Sequence, residues 1–149
     1  MSASIEQRLQ ALEDRAEIAA LIARYGPAVD SGDGDAVRAL WTDEGTYVID
    51  DVTLDAGGIR TLTELPTHQE YMSAGCAHVI SAPRIQLTGD AAVATTHSVV
   101  MIHDGERWNA ERVSANRWEL ARTVDGWRVS RRRNHLLNGA AAARALLTD

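Results

Sequence analysis

Three residues in this chain make a constellation that could move protons: Tyr25, Asp30 five positions later, and His78 a further 48 positions on. A carboxylate beside an imidazole holds its tautomer and stabilises the imidazolium formed on proton uptake, and a nearby phenol adds a donor. Gathered in apolar surroundings, such a trio would take a proton from carbon next to a carbonyl or similar activating group. General acid–base assistance of this kind supplies on the order of 10²–10⁴ in rate. Each residue also has a plainer use. Asp30 precedes Ser31-Gly32 and suits a turn, His78 suits a strand start, and Tyr25 suits packing at a helix bend. An offset of five places Tyr25 and Asp30 about 140° apart on an ideal helix, so their convergence requires distortion at Gly26-Pro27.

The elements that would position them follow from periodicity. Ser4 and Gln7 form a capping-box pattern. Ile5, Leu9, Leu12, Ala16, Ala19 and Ala23 then recur at helical steps, predicting a long amphipathic helix that bends or ends near Gly26-Pro27. Ser31-Gly32-Asp33-Gly34 is a break, and Asp35–Trp41 reads as a short helix. A strand is expected over Thr46–Asp50, a loop or hairpin at Gly57-Gly58, and a helix over Leu65–Ala74. Four runs of strand character follow: Ala77–Leu87, Ala91–His103, Arg107–Arg122 and Trp127–Leu136. Turn residues separate them, as in an antiparallel meander, and Asn138 precedes a last helix over Ala140–Leu147. Helices first and a curved, mostly antiparallel sheet afterwards make an α+β architecture.

Alternation along the strands nominates cavity-wall residues. His97, Met101 and His103 share one face of the second run with Val93 and Val99. Asn116 and Trp118 share a face of the third with Arg112 and Ser114, and Arg131 shares a face of the fourth with Trp127, Val129, Arg133 and His135. Polar side chains on apolar faces are expensive unless they meet each other, water or a ligand, which argues for a pocket. Trp41 and Tyr47 complete the expected substrate-binding wall. The chain has no Phe but four Trp and three Tyr, rings whose polar edges suit cavity walls as well as cores.

Composition bounds the function. A chain of 149 residues predicts one domain over 1–149, able to bury a core without disulfides or a structural metal. A formal net charge of -6 argues against nucleic acid as a partner. The lone cysteine, Cys76, makes no internal disulfide and fits a reducing compartment. No apolar stretch is long enough to span a bilayer, and Met1–Gln10 carries charges where a signal peptide needs an apolar core. The expected location is the cytoplasm. The five histidines form no H-E-x-x-H and no cysteines pair, so no metal site is expected.

The segment RAEIAALIARYGPAVDSGDGDAVRALWTDEGTYVI resembles the opening of the SnoaL-like branch of the NTF2-like (cystatin-like) superfamily of cone-shaped α+β barrels. HVISAPRIQLTGDAAVATTHSVV and RWELARTVDGWRVSRR resemble its later strands. Within that superfamily the chain is similar to the scytalone dehydratase, bile-acid dehydratase and hexachlorocyclohexane dehydrochlorinase branch. All three resemble it at Asp30 and His78, the bile-acid enzyme also at Tyr25, and scytalone dehydratase at His103 and Asn116. Val29 and Ile49 stand where the last has substrate-gripping tyrosines. The resemblance implies a cofactor-independent lyase of the dehydratase type, acting on a small cyclic or polycyclic hydrophobic compound inside the cone. Asp30 and His78 would be its general-base dyad, with Tyr25, or a water held by Asn116 and His103, assisting the leaving group. It also implies a homo-oligomer, a trimer before a dimer. Two alternatives stay open: a double-bond isomerase, and a non-catalytic ligand-binding or assembly module.

Overall fold

The Ser4 hydroxyl accepts from the Gln7 N–H, and the Gln7 side chain accepts from the Ser4 N–H, so the capping box forms and starts helix α1 (Ile5–Ala23). This computed structural model describes residues 2–148; Met1 and Asp149, the ends of the expected domain, lie outside the described residues. Arg24 separates α1 from α2 (Tyr25–Asp30). Pro27 falls in the first turn of α2, where a missing N–H breaks no intrahelical bond, so the expected bend is a fresh helix start. Only the second half of the α1 stripe is covered: Ile18, Leu21 and Ile22 are buried, whereas Ile5, Leu9 and Leu12 are exposed.

Asp33 caps the short α3 (Gly34–Arg38), which ends earlier than expected. Trp41 opens strand β1 (Trp41–Ile49) instead of closing a helix, because the Val129 N–H captures the Leu40 carbonyl and draws the chain into the sheet. β2 (Val52–Leu54) folds back on β1. Gly57-Gly58 lies within α4 (Ala56–Arg60) rather than in a loop, its first turn capped by the Asp55 carboxylate. A 3-10 turn (Leu62–Glu64) leads to α5 (Pro66–Ala74), as expected, and Gly75, at φ 102°, turns the chain into β3 (Cys76–Ile80). The single strand expected over Ala77–Leu87 is two, β3 and β4 (Arg84–Thr88), interrupted around Pro83, which has no N–H for a ladder. Both pair with β5 (Ala91–His103), one beyond the other. β6 (Trp108–Thr123), β7 (Gly126–Leu136) and a short α6 (Ala141–Ala145) complete the chain.

The seven strands form one sheet in the order β2-β1-β7-β6-β5-β3, with β4 also on β5. All pairs are antiparallel except β1 with β7. The curved sheet and its packed helices share a core that includes Leu21, Ile22, Val29, Trp41, Trp118 and Trp127. A clasp ties α1 to the far end of the sheet. Asp14 accepts two bonds from the Arg122 guanidinium, at 2.8 and 2.7 Å, and one from the Trp127 indole. No helix among the described residues is long and apolar enough to cross a membrane.

One irregularity in β7 decides what the cavity contains. Glu119 pairs with Arg131 and Leu120 with Val129, so Ser130 is an extra residue, a β-bulge. Side chains on either side of a bulge change phase. Trp127 and Val129 point inward before it, and Arg132 and Asn134 point inward after it.

Candidate active site

Asp30 closes α2 and His78 sits in the middle of β3, so the two are joined only if that helix packs on that strand. Gly26 permits it: a Cβ at this position would collide with the His78 carbonyl oxygen. With glycine there, the His78 Nδ1–H donates to Asp30 Oδ1 at 2.6 Å. The His78 backbone N–H donates to the same carboxylate, at 2.9 Å to Oδ2, and the Cys76 thiol donates to Oδ1 at 3.5 Å. Burial alone would raise the Asp30 carboxyl, but the hydrogen bonds and charge from His78, with the Cys76 thiol, hold it below its ordinary value. An ionised Asp30 fixes the proton on Nδ1 and leaves Nε2 as the free basic nitrogen. The donor atoms of Asp30, Cys76 and His78 lie within 4.8 Å of one another. Burial pushes the Cys76 thiol up to about 11, so it stays protonated and serves the carboxylate as a donor.

His78 opens on a cavity of about 230 Å³ lined by Tyr25, Tyr47, Ile49, Leu62, Leu65, His68, Tyr71, Ile80, Val100 and several polar groups. Tyr25, the first residue of α2, projects into it with its ring 6.4 Å from that of His78. Burial first, then the neighbouring Tyr47, push the Tyr25 phenol far above its ordinary value against the pull of Arg132. It is therefore a protonated donor at any neutral pH. His68, from α5, sits 5.6 Å ring to ring from His78 and is bonded through Nε2 to the Val29 carbonyl at 2.8 Å. Burial lowers its pKa, so it faces the dyad as a neutral ring that adds no repulsion to an imidazolium on His78.

The other wall residues divide. Tyr47 lines the cavity. Trp41 and Trp118 are buried in the aromatic cluster around Tyr25, with ring centres 6.1 Å from it in each case, and do not line the cavity. Asn116 is fully buried as well: its Oδ1 accepts from Arg132 and Asn134, and its Nδ2 donates to Ser98 Oγ at 2.8 Å. His97, Met101 and His103 lie on the opposite face of β5, because Thr96, Ser98 and Val100 take the inward positions. His97 is exposed, and His103 packs against Trp108. A water held jointly by Asn116 and His103 is thereby ruled out, since the two side chains occupy opposite sides of the sheet. Arg131 is exposed and its neighbour Arg132 takes the inward place, because the Ser130 bulge shifts the alternation by one.

Sequence reasoning missed Arg132, Asn134, His68 and Tyr71. Of these, Arg132 carried a signal in the run Arg131-Arg132-Arg133, but only the bulge selects which arginine enters. Arg112 and Ser114, placed on the Asn116 face by alternation, do reach the cavity wall.

No curated protein matches the chain. Among solved structures, an NTF2-like protein with a cystatin-like fold from Novosphingobium aromaticivorans is 44% identical over the whole of both chains, with a TM-score of 0.95. A Mycobacterium tuberculosis protein of unknown function, 22% identical, covers 97% of this chain and 94% of its own, with a TM-score of 0.70. A candidate dehydratase of the NTF2-like family from Streptomyces avermitilis is 16% identical, with a TM-score of 0.66, 84% of this chain covered and 96% of its own. The last two show likeness of fold alone. The SnoaL-like domain pattern matches residues 10–133. With the cone, its inward-facing polar groups and these matches together, the chain belongs to the SnoaL-like domain family, on an NTF2-like, cystatin-like fold.

Proposed function

We propose that the protein is a cofactor-independent lyase of the dehydratase type, with His78 as general base and Asp30 as the group that orients it. The observation that carries this reading is the 2.6 Å bond between Asp30 and His78 at the wall of a largely apolar cavity. In the proposed step, His78 Nε2 takes a proton from carbon next to a carbonyl. The C–H electron pair becomes the new C=C bond as the C–O bond to a neighbouring hydroxyl breaks. The hydroxyl departs as water with the proton returned by the imidazolium, its oxygen steadied by the Tyr25 phenol. A cavity of about 230 Å³ is below the ~300–1,000 Å³ of most ligand pockets, which favours a compact, monocyclic substrate over a polycyclic one. The dehydratase description of one NTF2-like neighbour is consistent with this reading. No step calls for a metal or an organic cofactor, and the charge balance and lone cysteine suit the cytoplasm.

The test is turnover of small cyclic β-hydroxy ketones, read by product mass. Loss of water is the expected result, abolished in a folded His78→Gln variant. A product of unchanged mass would replace elimination with double-bond isomerisation. Turnover that survives in both His78→Gln and His78→Ala would remove the dyad from the chemistry.

We further propose a homo-oligomer that uses the outer sheet face. Val79, Val99 and Val113 stand side by side there on β3, β5 and β6, an apolar row facing away from the helices.

A further inference from the structure

Arg132 is 1% exposed and has no carboxylate within 4.0 Å among the described residues. Its guanidinium carbon lies 4.2, 4.6 and 4.0 Å from the ring centres of Tyr25, Tyr47 and Trp118. Nε and Nη2 both donate to Asn116 Oδ1, at 3.0 and 2.8 Å, and Asn134 donates to the same oxygen. That leaves Nη1, buried and without a partner, and on the adjacent strand β6 the Ser114 Oγ is buried and unpartnered too. Arg132 and Ser114 both line the cavity that His78 and Tyr25 share.

This is an uncommon arrangement energetically. A buried cation normally sits against a carboxylate; on the same wall even the partly exposed Arg112 has one, Asp50 at 2.8 Å. Aromatic faces and a neutral amide oxygen offset the desolvation of Arg132 in part, and none of them carries negative charge. The aromatic rings and Asn116 also lock the guanidinium, so Nη1 cannot swing away to another partner. A fixed, desolvated N–H of a permanent cation is a preorganised donor for an oxygen that bears or develops negative charge.

We propose that Arg132 Nη1 and Ser114 Oγ form an oxyanion site in the cavity wall, and that the ligand is an enolisable carbonyl compound bound with its oxygen there. This rests on the lyase reading and deepens it. When His78 removes the proton from the adjacent carbon, the C–H electron pair becomes the enolate C=C and the carbonyl π pair moves onto oxygen. That charge meets the guanidinium before it passes on to expel the leaving group. Arg132 thus supplies the electrophilic half of a reaction whose basic half is the dyad.

The probe is 4-nitrophenol, a one-ring oxyanion whose ionised form absorbs in the visible, compared with its methyl ether 4-nitroanisole, which cannot ionise. The wild-type protein should bind 4-nitrophenol, in its yellow phenolate form, at least about tenfold more tightly than the ether. Arg132→Met should weaken phenol binding by roughly 10- to 100-fold and return the bound probe to its neutral spectrum. Ser114→Ala, a change of one buried oxygen, should weaken it several-fold with the fold intact. Equal wild-type affinity for phenol and ether would overturn the proposal even if Arg132→Met failed to fold. So would phenolate binding that follows His78→Gln rather than Arg132→Met. Binding needs no turnover: phenolate binding in a protein inactive on every hydroxy ketone would sink the lyase reading alone.

Discussion

At the scale of single residues, the site is a set of donors around two charged groups. Asp30 collects the Cys76 thiol and the ring and backbone N–H of His78, and these are not equivalent. Asp30→Asn removes the charge that fixes the imidazole tautomer, and turnover should fall by about 10²–10⁴. Cys76→Ala removes only the long thiol contact and should cost less than about tenfold; a kcat comparison of the two variants checks this. Asp14 gives a prediction for stability. The hydrogen bonds from Arg122, then those from Trp127 and Gln10, hold its carboxyl at about 2 against the opposing effect of burial. The unfolded chain's value is near ~3.9, so the stabilisation is complete above about pH 4 and disappears as pH falls through about 2. With Asp14 buried but its Arg122 partner about a third exposed and screened by solvent, it is on the order of 1–2 kcal/mol. Asp14→Asn should lower stability at neutral pH by that amount and flatten the loss between pH 4 and 2, as read by urea unfolding.

At the scale of elements, the α2–β3 junction brings the dyad together. Gly26→Ala should push α2 off β3, lengthen the Asp30–His78 bond and abolish most turnover while the remaining core stays folded; near-wild-type kcat in that variant would contradict the role given to this contact. Much of this architecture was legible in the chain. The capping box, α5 and the strand β5 lie where periodicity puts them, because local hydrogen bonding and alternation alone determine them. The Asp30–His78 pair was legible by spacing and resemblance, though not from periodicity, since a contact across 48 residues is set by packing. What was not legible has physical causes. Histidines on β5 stand out as chemical groups, yet the inward face went to the smaller Thr96 and Ser98, leaving His97 and His103 outside. Trp41 reads as a helix residue until the sheet takes the Leu40 carbonyl. Arg132 is hidden among its neighbours because a bulge leaves no mark in composition.

At the scale of the whole molecule, the two surfaces of the sheet have different tasks. The inner surface carries the cavity, whereas the outer one presents Val79, Val99 and Val113, and β6 adds the exposed Trp108. An apolar face of this kind is suited to self-association. Sedimentation at micromolar concentration should give an oligomer, with a trimer expected, and Val99→Glu should shift it to monomer without loss of helix content. A wild-type protein that sediments as a monomer would leave the valine row without this explanation. The exposed Ile5, Leu9 and Leu12 at the start of α1 form a second apolar strip, on a different part of the surface. A double change to polar residues there should leave the oligomer formed through the valine row unaltered.

The extra residue at Ser130 behaves like a shift of reading frame in space rather than in codons. Three consecutive arginines are chemically identical, and whichever one the frame turns inward becomes the positive charge wrapped by three aromatic rings. Losing or gaining one amino acid in that hairpin would swap which side chain is enclosed without altering any of the candidates. In this chain, then, the length of the last strand between Trp127 and Asn134 carries information about cavity charge that residue-by-residue identity does not.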